Sequence, residues 1–141
     1  MQRTTSLLIL LLASLAALSG YLLSKASLVG KAGISLFYKQ YGFLKVWWQG
    51  ALVVFIVWIF LFGLQGWVAR RAKGNNAVLA HIAAIVVALI GLFFTYQDFR
   101  NNLSHRVLGE RFHLGGYLFW AGWIIISLYY LFKSRSLKQT T

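Results

Sequence analysis

The sequence predicts an all-α integral membrane protein, a four-helix bundle that forms a single transmembrane domain over residues 1–141. The chain is 60% hydrophobic and 11% charged, whereas soluble domains carry roughly 25% charged residues. Four apolar stretches without Asp, Glu, Lys or Arg occur at Leu7–Leu23, Val46–Val68, Ala77–Tyr96 and Leu114–Phe132. Each approaches the ~20 residues that a helix needs to cross a bilayer, where the backbone must satisfy its own hydrogen bonds.

The first stretch has two interpretations. Arg3, the apolar run and the small residues Ala17-Leu18-Ser19 together resemble a signal peptide with its cleavage site. The apolar run continues through Tyr21-Leu22-Leu23, however. This continuation favours a retained transmembrane helix.

The segment Ser24–Lys45, between the first and second helices, mixes four lysines with aromatic and aliphatic residues. Aromatic rings favour the headgroup region, and lysine side chains extend from it into water. We therefore expect an interfacial helix or re-entrant hairpin. A solvated loop and a docking surface for a partner are the alternatives.

The third stretch carries a face of small and polar residues. Its members recur at alternating intervals of four and three, which places them on one side of a helix. They are Ala77, His81, Ala84, Ala88, Gly91, Thr95 and Asp98. Membrane helices associate through such faces, because small side chains allow close backbone approach. We predict that the members from Ala77 to Thr95 contact another helix, either within the chain or in another subunit. The helix is expected to continue to about residue 108 and to stop at Gly109.

The second and fourth helices are rich in large side chains. In the fourth helix, which we expect to begin near His113, Gly115 and Gly116 allow close packing at one end. Trp120, Trp123, Tyr129 and Tyr130 supply bulk and interfacial anchors.

The richest polar cluster lies between the third and fourth helices, over Gln97–His113. It contains both carboxylates of the chain and two of its three histidines. Loops held by rigid helices often carry function, so we predict an external binding or proton-handling site here. Its candidate residues are Asp98, Asn102, His105, Arg106, Glu110, Arg111 and His113. The alternative is a solvated loop with exposed ion pairs, each worth ~0–1 kcal/mol.

Enzymatic chemistry has few candidate residues. The chain has no cysteine, which excludes thiolate metal sites and cysteine nucleophiles. A Ser104–His105–Asp98 triad is unfavourable on one helix. Asp98 and His105 would lie about 10 Å apart along its axis at ~1.5 Å per residue, whereas triad contacts span roughly 2.6–3.2 Å. We predict no catalytic residue and no metal site.

A haem group would need two axial ligands from among the three histidines of the chain. Two axial ligands must lie at similar depth, and this pairs His105 with His113 but excludes His81, which lies near the other end of the third helix. We predict no cofactor. His81 is itself a candidate proton-relay or gating residue, because ionisable groups in membrane segments are often functional. Alternatively, water or Gln65 satisfies its hydrogen bonds.

The formal net charge of +12 comes from basic residues distributed among short loops. Anionic headgroups and membrane topology account for this pattern, so we expect the lipid bilayer as a partner and no nucleic acid. The loop Ala69–Asn76 is short and holds Arg70, Arg71 and Lys73. Its charge density predicts cytoplasmic termini, in what we expect to be a bacterial inner membrane.

The functional hypothesis is an accessory, assembly or immunity-type subunit of a membrane complex that acts through helix–helix contacts. Its partner would be another membrane protein or a second copy of the chain. One alternative is a small homo-oligomeric channel or transporter. The other is a membrane redox or lipid-modifying enzyme that uses residues 97–113.

Overall fold

The computed structural model describes residues 2–25, 46–72, 74–101 and 110–139. These residues form four helices, which are α1 (Gln2–Ser24), α2 (Trp47–Arg71), α3 (Asn75–Asn101) and α4 (Glu110–Gln139). Each helix contains a stretch long and apolar enough to cross a membrane. The all-α architecture with four candidate membrane-spanning helices is therefore confirmed. The predicted interfacial segment is Ser24–Lys45. Ser24 is the last residue of α1, and residues 26–45 lie outside the described residues.

All four helices are longer than their apolar stretches. α1 begins at Gln2 rather than Leu7, and α4 extends to Gln139 rather than Phe132. Hydropathy identifies the part of a helix that crosses hydrocarbon, whereas backbone hydrogen bonds continue the helix into polar sequence. α3 is described as far as Asn101, and its predicted continuation to about residue 108 lies outside the described residues.

The turn between α2 and α3 is short. Ala72 adopts an extended conformation, and its backbone N–H donates to the carbonyl oxygen of Val68 at 2.8 Å. Gly74 follows with a φ of 60°, in the left-handed region that glycine adopts without a steric cost. The chain therefore reverses within a few residues, and α3 starts beside the end of α2.

Consecutive helices run in opposite directions, so α2 and α4 are parallel to each other, and α4 is the central helix. Gly20, near the end of α1, lies against Ala51 near the start of α2, while Phe99 of α3 lies against Phe112 of α4. α4 contacts all three other helices. α3 packs chiefly on α4, touches α2 sparsely and does not reach α1 within the described residues. The bundle is therefore open on the side between α2 and α3.

Small residues set the distance between α1 and its neighbours. A Cβ on Gly20 would collide with the backbone of Ala51 and Trp47 on α2. On the other side, the hydroxyl of Ser19 donates to the carbonyl oxygen of Gly115 on α4 at 2.9 Å. The packing of α1 thus depends on close approach of backbones, as is usual for helices in lipid.

Trp58 of α2 lies at the centre of the apolar core. Its indole ring packs so closely against Gly122 of α4 that a Cβ there would overlap the ring. Its Nε1–H donates to the carbonyl oxygen of Phe119 at 3.1 Å. This hydrogen bond satisfies the polar atom of a side chain that is otherwise surrounded by hydrocarbon.

Candidate functional site

The small-residue face of α3 is turned towards α4. Ala77, His81 and Ala88 are buried, and Ala88 has no exposed surface. Ala84, Gly91 and Thr95 are partly buried. The bulky residues on the opposite side of the helix are exposed, among them Ile82, Val86, Leu89 and Phe93. The helix that packs on this face is therefore part of the same chain.

Contacts between α3 and α4 follow a regular antiparallel register. The pairs that define it are His81 with Tyr130, Gly91 with Trp120, and Thr95 with Gly116. By continuation, Ala88 lies opposite Trp123. Large rings on α4 thus pack on small residues of α3, which brings the two backbones close together without leaving gaps.

Trp120 fixes this register in the middle of the helix pair. Its ring lies directly over Gly91, where a Cβ would overlap it. Its Nε1–H donates to the hydroxyl of Thr95 at 2.9 Å. The hydroxyl of Thr95 is therefore used within the α3–α4 contact.

A buried network of polar side chains joins three helices near the turn between α2 and α3. The Nδ1 of His81 on α3 lies 3.0 Å from the Oε1 of Gln65 on α2. The Nε2 of Gln65 donates to the hydroxyl of Ser127 on α4 at 2.8 Å, and that hydroxyl donates to the carbonyl oxygen of Trp123 at 3.0 Å. We call these groups the His81 network. The contact between His81 and Gln65 expected from the sequence is present.

The hydrogen bonds of the His81 network assign its protons. Ser127 gives its own proton to the carbonyl of Trp123, so it must accept from the amide nitrogen of Gln65. The oxygen of that amide therefore faces His81. Because a carbonyl oxygen only accepts, the proton of the bond lies on Nδ1. In the neutral imidazole, the lone pair is then on Nε2.

The Nε2 atom of His81 is enclosed by protein and has no hydrogen-bond partner among the described residues. The imidazole stacks on the ring of Tyr130, with centroids 5.6 Å apart and an angle of 18° between the planes. Buried polar atoms usually have a partner. This nitrogen is therefore a buried acceptor without a partner among the described residues, able to accept a hydrogen bond or a proton.

A metal centre needs more ligands than His81 offers. Stable sites use three or four protein ligands. No group of three or more His, Cys, Asp or Glu side chains that could hold a metal ion occurs within the four described segments. The partners of His81 are an amide and a phenol ring, which serve to orient the imidazole.

The predicted binding cluster is described in part. Phe99 stacks on the imidazole of His113, with ring centroids 4.4 Å apart, and this contact joins the end of α3 to the start of α4. Asp98 is partly buried and Arg111 is exposed. Asn102, His105 and Arg106 lie outside the described residues, as does the side chain of Glu110. Asp98, Arg111 and His113 share the end of the bundle opposite to the His81 network.

Sequence reasoning identified His81 and Gln65 but did not assign Ser127 and Tyr130 as their partners. A signal was available, because the residues of α4 that face α3 also recur at intervals of four and three. They are Gly116, Trp120, Trp123, Ser127 and Tyr130. Matching periods on two adjacent antiparallel helices indicate that their faces pair.

The sequence and the structure were compared with known proteins. No family model matches the chain, and neither a curated protein nor a solved structure matches it.

Proposed function

We propose that this protein is an accessory, assembly or immunity-type subunit of a membrane complex, and that it binds its partner through the outer face of α1. One observation carries the proposal. The side of α1 that faces away from α2 and α4 exposes small and polar side chains, namely Ser6, Ala13, Ser14 and Ala17. They lie among exposed leucines, of which Leu10 is 66% and Leu18 is 46% exposed. The opposite side, which includes Leu12 and Ala16, is buried within the bundle.

The outer face of α1 has the properties of a helix-contact surface. Ala13 and Ala17 are one turn apart, the spacing that lets a second helix approach closely in lipid. The hydroxyl of Ser14 donates to the carbonyl oxygen of Leu10 at 2.9 Å, so it is satisfied within α1. Between the exposed leucines, Ala13 and Ala17 leave a shallow groove, in which another helix gains more van der Waals contact than flexible lipid chains do.

The outer face of α3 exposes fewer small side chains than the outer face of α1 does. Leu79, Val86 and Phe93 are exposed there, and side chains of this size suit contact with lipid. The small-residue face of α3 is covered by α4, so it does not supply a surface for a partner. This distribution favours α1 over α3 as the contact helix.

The channel or transporter alternative is less consistent with the geometry. It would use the polar groups of α3 to line a pore. Trp120 covers Gly91 and binds Thr95, while Tyr130 stacks on His81. These polar groups therefore serve the packing of α3 on α4. The enzyme alternative would use residues 97–113, of which residues 102–109 lie outside the described part.

We further propose a bacterial inner-membrane location with cytoplasmic termini and an interfacial segment after α1. The charge density of the short loop that holds Arg70, Arg71 and Lys73 supports this orientation. The chain has no cysteine, so single cysteines can report topology. An impermeant maleimide should label Asn101→Cys in intact cells and leave Asn76→Cys unlabelled. The reverse pattern would contradict the orientation.

The same cysteine-free background tests the contact surface. Ala13→Cys and Ala17→Cys, on the outer face of α1, should form oxidative or bifunctional cross-links in membranes, either to a discrete partner or to a second copy. Ala83→Cys is the matched control, because Ala83 is exposed on the bulky side of α3. Cross-linking at the α1 positions no stronger than at Ala83 would refute the proposal.

Packing of the partner gives a second test. Ala13→Leu combined with Ala17→Leu fills the surface and should remove the partner from protein purified in mild detergent. Ala83→Leu should leave co-purification unchanged. An unaltered complex in the α1 double variant, with the helical content of the wild type, would also refute the proposal.

A further inference from the structure

Positive charge collects at one end of the bundle without a negative side chain beside it. α1 begins at this end, while α2 and α4 terminate there. The topology thereby assembles five basic residues, which are Arg3, Arg70, Arg71, Lys133 and Arg135. We call this region the basic end.

The two acidic residues of the chain belong to helix ends on the opposite side of the bundle. Asp98 lies in the last turn of α3, and Glu110 is the first residue of α4. Charges of like sign repel one another unless a counter-charge is present. No Asp or Glu side chain therefore neutralises the basic end, where anionic groups of a membrane can do so.

Two of the cations lie where α2 and α4 touch. The Nε of Arg70 donates to the carbonyl oxygen of Gly66 at 3.3 Å, which fixes the guanidinium group on α2. Gly66 in turn faces the hydroxyl of Tyr130, which would lie 2.7 Å from a Cβ at that position. The ammonium group of Lys133 lies 5.9 Å from the ring centroid of Tyr130. Arg70 and Lys133 thus flank the same tyrosine from two helices.

Aromatic rings mark this level as the membrane–water interface. Trp67 is 56% exposed on α2, and the guanidinium of Arg71 lies 5.9 Å from its ring centroid. Lys133 lies 5.8 Å from the ring of Tyr129. Tryptophan and tyrosine prefer the depth of the lipid headgroups, so the cations next to them lie at the depth of the phosphates.

We propose that the seam between α2 and α4 at the basic end binds the phosphate of an anionic phospholipid, with Arg70 and Lys133 as its ligands. A guanidinium group pairs with two phosphate oxygens at once, and an ammonium group adds a point charge. Basic sites between membrane helices bind headgroups in this way. A lipid fits better than free phosphate, because its acyl chains lie along the exposed apolar surface of the same helices.

Native mass spectrometry of the full chain in mild detergent tests the proposal. Phosphatidylglycerol, phosphatidylcholine and inorganic phosphate are titrated separately. We expect phosphatidylglycerol to be retained preferentially. Equal retention of phosphatidylcholine would overturn the requirement for an anionic headgroup, and inorganic phosphate that competes at equal concentration would overturn the assignment to a lipid.

Charge-matched variants separate the seam from diffuse attraction. Arg70→Gln with Lys133→Gln should weaken phosphatidylglycerol binding by more than the about 25-fold that the loss of two juxtamembrane charges gives at about fivefold each. Arg71→Gln with Arg135→Gln removes the same charge from the same end but away from the seam, and should weaken binding clearly less. Equal losses in the two double variants would overturn the seam as the site.

Two further sets of variants control for a nonspecific effect of net charge and for misfolding of the seam double variant. Arg100→Gln with Lys25→Gln lowers the net charge equally at the opposite end and should leave retention unchanged. If the seam double variant does not fold, Lys133→Gln alone should weaken binding about fivefold. Unchanged binding by that folded single variant would overturn the role of Lys133.

Discussion

The imidazole Nδ1 of His81 on α3 lies 3.0 Å from the side-chain oxygen of Gln65 on α2. This hydrogen bond connects two helices that share few other contacts. The amide nitrogen of Gln65 donates a second hydrogen bond, to the hydroxyl of Ser127 on α4. The polar network thereby anchors the N-terminal part of α3 to α2 and α4, while α4 also packs along the length of α3.

Gln65→Leu should destabilise the protein. The substitution leaves the Nδ1 proton of His81 without its acceptor, while the hydroxyl of Ser127 loses the donor from Gln65 but keeps its bond to the Trp123 carbonyl. The expected cost is about 1–2 kcal/mol for hydrogen bonds of this kind in membranes. Unfolding in mixed detergent measures the change. Gln49→Leu, near the other end of α2, is the control and should change stability by less than about 0.5 kcal/mol.

The same network predicts non-additive effects. Ser127→Ala combined with Gln65→Leu should cost less than the sum of the two single variants, because both remove the same bond. Additive losses would show that Gln65 and Ser127 act independently and would contradict the network.

Gly20→Ala should be strongly destabilising. The new methyl group meets the backbone of α2 at Ala51 and Trp47, and a backbone cannot move aside as a side chain does. We expect a loss of about 2 kcal/mol or more, in the range of overpacked sites. Thermal unfolding in detergent provides the measurement.

Gly63→Ala is the matched control for that substitution. Gly63 lies in the middle of an apolar helix, and nothing lies within 4 Å of the position that its Cβ would take. Alanine in place of glycine in a helix should then stabilise by about 0.5–1 kcal/mol. Similar losses at Gly20 and Gly63 would contradict the proposed α1–α2 approach.

Ala88→Leu should destabilise the single chain rather than only its assembly. Ala88 is fully buried against α4, so the larger side chain forces the two helices apart at a cost of about 1–3 kcal/mol. Ala83→Leu, on the exposed side of α3, should be nearly neutral. Stability and mass in detergent are measured together. A changed oligomeric state with unchanged stability of the monomer would place the α3 face between chains instead.

The small-residue face of α3 can be predicted from the sequence, but the helix that packs on it cannot. The spacing from Ala77 to Thr95 predicts one small-residue face because helix geometry is fixed. It does not predict the partner, because the same face fits any helix of complementary shape. Trp120 and Tyr130 were interpreted as bulk and interfacial anchors, and the tertiary structure places them against Gly91 and His81.

The polar cluster over Gln97–His113 shows a different limit. Its composition predicts a polar end of the bundle, since charged groups avoid hydrocarbon. The stacking of His113 on Phe99 follows from the pairing of α3 with α4, which composition does not contain. The burial of the Nε2 atom of His81 could not be predicted from composition either, because the imidazole stacks on Tyr130 from another helix.

By itself, the sequence determined that the protein is all-α, that four of its helices are long and apolar enough to cross a membrane, and which side of α3 carries small residues. These properties follow from hydropathy and helical period, which are local. The tertiary structure decided that Gly20 needs to be glycine while Gly63 does not, and that Gln65 binds both His81 and Ser127. In lipid, apolar surface alone does not select a partner. Complementary shape and hydrogen bonds between residues distant in the sequence select the partner helix, and both arise only when the helices pack together.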